Sequence, residues 1–122
     1  MTAAKAAFVH QATVAMKADG DLRALGAAVT LGLCGSWDHP PPCPLAPHHT
    51  RPERNGDAVT LRIIFATEPA NEALARSRIN SALRQGSLTG PDGRTSRWEF
   101  LDGGHGELDP SEAAHARRLI DS

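Results

Sequence analysis

Aromatic residues are scarce: 4% of 122 residues, as three Phe, two Trp and no Tyr. A core must therefore be assembled from Ala, Val, Leu and Ile, which bury less area per residue. A single domain of this size with such a core gains from a metal, a partner or a second subunit. Long apolar runs are missing too. No stretch approaches the roughly 20 apolar residues that span a bilayer, so no membrane association is expected. Nor is there an excess of charge. Thirteen Lys and Arg stand against 14 Asp and Glu, a formal net charge of −1. That balance excludes a chain that works by coating nucleic acid or an anionic membrane, and no nucleic-acid partner is expected.

No secretory signal is legible. Asp19 and Asp21 stand where positive charge belongs before the apolar run from Leu22 to Leu33, and Leu33 before Cys34 is too large for a cleavage site. The chain reads as cytoplasmic, which keeps Cys34 and Cys43 as thiols and argues against a structural disulfide. Lys occurs only at Lys5 and Lys17, and Arg supplies the other basic residues.

Residues 1–122 read as one domain. Residues 2–18 are rich in Ala and end at Asp19-Gly20, which predicts a helix; 1–20 would then be an N-terminal helix or extension. Phe8, His10, Ala12, Val14 and Met16 also alternate as along a strand, and that alternative stays open. Ala27, Val29, Leu31 and Leu33 alternate with small or polar neighbours and predict a strand. A second strand is expected at Ala58 to Ala66, with Val59, Leu61, Ile63 and Phe65 on one face. Thr67, Glu68 and Pro69 open a helix whose buried stripe is Ala75, Ile79, Ala82 and Leu83, stopped by Gly86. A tight turn at Gly90 to Gly93 leads to a third strand, Ser96 to Leu101, and then to a loop at Gly103 to Gly106. Asp109-Pro110-Ser111-Glu112 is a capping box that starts a last helix, to about Ile120. The sum is a two-layer α+β domain: an antiparallel or mixed three-stranded sheet, helices on one face, and a long loop from Gly35 to Gly56. A compact domain rarely keeps so long a loop without a use for it.

That loop carries the chemistry. Cys34, His39, Cys43, His48 and His49 follow a C-x4-H-x3-C-x4-H-H spacing, and five of the nine prolines lie between His39 and His48. Thiolate and imidazole are the preferred ligands of zinc, and two of each make a tetrahedral set. The prolines hold the segment extended and lower the entropy lost when its ligands converge. Residues 34–50 therefore read as a zinc loop with Cys34, His39, Cys43 and His48 as ligands, and His49 as the alternative fourth. The other reading is two free thiols among solvated histidines. Zinc is preferred to iron or copper because the donors are mixed sulfur and nitrogen without Met.

The run Gly26-Ala27-Ala28-Val29-Thr30, with Cys34-Gly35-x-Trp37-x-His39, Cys43 and Pro47-His48-His49, resembles a segment of small actinobacterial proteins of unassigned function. The resemblance covers Leu25 to Thr50, extends loosely from Leu61 to the end, and implies that the four candidate ligand positions act as one unit; it implies no activity.

Other residues carry less. Trp37 reads as packing over the loop, and Asp38 as a solvated turn residue or an acceptor for a ligand histidine. His10 and His105 read as surface histidines, and His115 as partly exposed. Arg76 and Arg84 lie two turns apart on a helix and read as a solvated face. Two functions follow: a zinc-stabilised binding or accessory module with a protein or small-molecule partner, or a zinc enzyme with an open coordination position, for which Asp38 and His49 are the candidate proton acceptors. Oligomeric state stays open.

Overall fold

The structure is a computed structural model that describes residues 4–34 and 46–121. Four strands form one antiparallel sheet: β1 (Ala6–Ala15), β2 (His48–Asn55), β3 (Ala58–Thr67) and β6 (Glu99–Gly106), in the order β2-β3-β1-β6. A short hairpin, β4 (Ser87–Thr89) with β5 (Thr95–Arg97), makes a second sheet. The helices are α1 (Leu22–Cys34), α2 (Glu72–Arg84) and α3 (Ala113–Ile120). Read without the hairpin and α3, the chain runs β-α-β-β-α-β with β3 between β1 and β2, which is the split arrangement of ferredoxin-like domains. No helix among the described residues is long and apolar enough to cross a membrane.

The α+β expectation holds, with four strands in the main sheet rather than three. The first two elements exchange their types. Residues 6–15 form a central strand, with Val9 to Ala15 paired to both β3 and β6. The alternation of Ala12, Val14 and Met16 prevails over the helical preference of Ala because all three lie buried in the core. Residues 22–34 form a helix instead of a strand. Its buried positions are Leu25, Ala28, Val29 and Leu33, a helical spacing, and the Asp21 carboxylate accepts the Arg23 amide at 2.9 Å as an N-cap does. An almost wholly apolar run fits both periods, and the cap decides between them.

Helices α1 and α2 cover one face of the sheet. Leu25, Val29 and Leu33 from α1 and Ala75, Ile79 and Leu83 from α2 close on Val59, Leu61, Ile63 and Phe65 of β3. The two helices cross closely at Gly32, where a Cβ would stand 2.8 Å from the Arg78 carbonyl oxygen and 2.9 Å from the Ala82 Cβ. Helix α3 corrects the expectation of helices on one face only. It packs on the other side of the sheet, where Ala116 meets Val9 and Ile64, with Ala7 and Leu119 at the margin. The Arg62 guanidinium on that face binds Glu112 at 2.8 Å through Nε and also donates to the Glu107 carbonyl. The capping box at Asp109 and Glu112 forms as expected.

The expected third strand divides at Trp98. Residues before it belong to the hairpin, and the Trp98 amide and indole donate to the Gly86 and Leu83 carbonyls. Beyond it, β6 continues through the expected glycine loop, because Gly103, Gly104 and Gly106 pair with Ala12, Gln11 and Val9. The long loop is shortened from the other end: His48–Asn55 is an edge strand whose polar sequence carries no apolar alternation.

Candidate functional site

The segment with the zinc-type donors leaves from the end of α1 and returns at the start of β2. Cys34 is the last residue of α1 and His48 the first of β2, while His39 and Cys43, with Trp37 and Asp38, lie outside the described residues. His48 is half-buried on the α1 side of the sheet. Its Nδ1 is 3.1 Å from the Ala46 carbonyl oxygen and its Nε2 is 3.0 Å from the Thr30 hydroxyl, which also reaches the Gly26 carbonyl at 3.1 Å. A carbonyl oxygen only accepts, so Nδ1 carries the proton; in the neutral ring Nε2 then turns its lone pair toward α1 and shares the single Thr30 hydroxyl proton with the Gly26 carbonyl. Thr30 lies four residues, about one helical turn, before the end of α1 at Cys34. Two residues along β2, the Thr50 hydroxyl is buried and has no hydrogen-bond partner among the described residues.

His49 points the other way, as successive residues of a strand must. Its ring lies 4.6 Å from that of His115 on α3, tilted by 55°. Burial lowers the His49 pKa, and the charges of His115 and Arg51 lower it further. A metal on His48 and one on His49 would therefore sit on opposite faces of the sheet. Among the described residues, no group of three or more His, Cys, Asp and Glu converges as a metal site would require.

A second polar cluster lies under α2, and here the structure corrects two readings. His10 is not a surface histidine; it is 1% exposed, in the middle of β1. Arg76 is not on a solvated face; it is buried, with its guanidinium 5.4 Å from the centre of the Phe65 ring. Arg76 donates to the Val9 carbonyl at 2.8 Å and stands 3.1 Å from His10 Nδ1. Since a guanidinium only donates, Nδ1 accepts, and Nε2–H donates to Asn80 Oδ1 at 2.9 Å. Glu72 completes the chain by accepting from Arg76 Nε at 2.8 Å, with the exposed His105 3.8 Å away. Burial holds the His10 pKa below its ordinary value; the Asn80 bond opposes this, and the charges of Arg76 and His105 add to it. Gly103 leaves the room for Asn80, because a Cβ there would collide with its side-chain oxygen. His105 and His115 lie as expected, exposed and partly exposed. Arg84 stacks over Phe100 at 5.2 Å.

The only sequence signal for this cluster was the place of His10 in the alternating row from Phe8 to Met16. A polar residue in an apolar row is a buried one, and a buried histidine needs partners. A third feature is a cleft of about 710 Å³ between the start of α1 and the β4–β5 hairpin, with Ala24, Ala27 and Leu88 along it and Asp21, Arg23, Asp92 and Arg94 at its sides. The chain matches no known protein family, no curated protein and no solved structure.

Proposed function

We propose that the protein is a small zinc-binding module of the cytoplasm, in which Cys34, His39, Cys43 and His48 hold one zinc ion. The arrangement of His48 carries the reading. Its Nδ1–H is spent on the Ala46 carbonyl, the outer bond that fixes the tautomer of a metal-binding imidazole, and its Nε2 lone pair faces the helix that ends in Cys34. Thr30 has the Gly26 carbonyl as a second partner, so its hydroxyl can release Nε2 without losing its hydrogen bond. The orphan Thr50 hydroxyl supports a polar occupant at the same junction. Metal bound here would fasten the start of β2 to α1, and its binding free energy would become folding free energy. A core poor in aromatics has use for that.

Elemental analysis of protein purified without chelators tests the reading. About one zinc per chain is expected, as in a closed four-ligand site. His48→Ala should lose the metal and lower the melting temperature, while His49→Ala should keep it. Metal-free protein with two freely titrating thiols in the folded state would overturn the proposal. Three protein ligands and a water would replace the module with a zinc enzyme.

A further inference from the structure

The two edges of the main sheet are built differently. At β2, Pro52 removes one ladder donor, and Arg51, Glu53 and Arg54 put alternating charge around it, which are ordinary protections against strand addition. The β6 edge has neither Pro nor Lys nor Arg in Glu99–Gly106. Its register with β1 shifts at Leu101, which is pushed out and 53% exposed, and from Asp102 to Gly106 the ladder runs regularly. On its outer side no strand pairs with it among the described residues. Three glycines keep side chains off this stretch, and a Cβ at Gly104 would meet nothing within 4 Å. Just beyond its end, Leu108 is a second exposed apolar side chain.

Charge selects the occupant. Glu99, Asp102 and Glu107 are exposed along this edge, and none of their carboxylates forms an ion pair with Lys or Arg among the described residues; Arg62 reaches only the Glu107 main-chain carbonyl. A second copy paired antiparallel on the same edge would bring two such sets of carboxylates together with no Lys or Arg in either β6 strand to pair them; centred on Gly103, it would set Glu99 against Glu107. We propose that β6 is a docking edge for an extended basic segment of a partner protein, which adds as a strand with its Lys or Arg side chains against Glu99, Asp102 and Glu107. Main-chain bonds to the 102–106 ladder would supply affinity, and the carboxylates would supply the choice of partner. This inference is independent of zinc.

The experiment uses the full chain, with and without chelator, and an end-blocked peptide in which Lys alternates with Val and Thr. A Glu-for-Lys version is the control. Amide hydrogen exchange should slow at alternate residues of 102–106 with the Lys peptide and stay unchanged along β2. The double variant Asp102→Lys, Gly104→Lys should weaken binding by about tenfold or more. A Cβ at Gly104 meets nothing within 4 Å and Asp102 is exposed, and the near-ultraviolet signal of buried Trp98 checks the fold. Equal protection by the Glu peptide, or no protection of β6 by either, would overturn the proposal without any variant. A dimer with protected β6 amides in the absence of peptide would give the edge to a second copy instead.

Discussion

His10 shows how one residue ties local chemistry to stability. It joins β1 to α2 as a neutral imidazole, with Arg76 on one nitrogen and Asn80 on the other. Protonation would place an N–H against the guanidinium, with no acceptor there. The native state therefore resists a proton that the unfolded chain accepts at about pH 6.5, and wherever the unfolded state binds more protons, stability falls as pH is lowered. The His10 contribution is complete above that pH and is lost as pH drops through it toward the lowered native value. Urea midpoints of zinc-free protein should thus be lower at pH 5.5 than at pH 7.5, and His10→Gln should flatten that slope while lowering stability at both values. Equal wild-type midpoints, or an unchanged slope in the variant, would refute the role. Arg76→Leu leaves Glu72 and the Val9 carbonyl short of a donor and should cost about 1–3 kcal/mol. The sequence hinted at His10 through its apolar neighbours. It gave no sign that Arg76 would be its partner, because 66 residues separate them.

At the scale of elements, legibility followed the number of independent signals. Strand β3 and helix α2 had alternation or an apolar stripe together with a defined end, and they formed close to where those signals lay. Helix α3 had its capping box. Residues 22–34 had only an apolar run, which favours neither period, and residues 48–55 had no apolar signal at all. The glycines of α1 now separate two roles. A Cβ at Gly26 meets only Thr50, at 3.9 Å, so Gly26→Ala should raise stability by about 0.5–1 kcal/mol through helix propensity. At Gly32 the same change would press on the α2 backbone. Gly32→Ala should lower stability by about 1–3 kcal/mol, since displaced packing outweighs propensity. Opposite signs in denaturant unfolding would confirm the α1–α2 crossing; a gain at both positions would refute it.

Across the whole molecule, the sheet divides the chain into unequal parts. The large core lies between the sheet and α1 with α2, and the small one, Val9, Ile64 and Ala116, lies under α3. Sequence could name the candidate zinc ligands of residues 34–50 but not where the ends of that segment would lie, because that depends on β3 inserting between β1 and β2. Nor could it place α3 on the second face, since its apolar residues suit either. A helix held by so little apolar area depends on its polar tether, the Arg62–Glu112 pair. That pair holds the Glu112 pKa down, from 4.5 to about 2. A depressed carboxylate contributes stability that is full above its unfolded pKa and is lost as pH falls toward the native one. The tether should therefore persist through the His10 transition and fail only below about pH 4.5, giving acid unfolding two separable stages. Glu112→Gln tests this at neutral pH, with an expected local cost of about 1–3 kcal/mol for the lost charged hydrogen bonds. Amide exchange in α3 should accelerate while β1 and β3 exchange at nearly the wild-type rate, because their protection comes from the other core. If β1 and β3 accelerate equally, α3 is an integral part of one cooperative unit and the division into two cores is wrong.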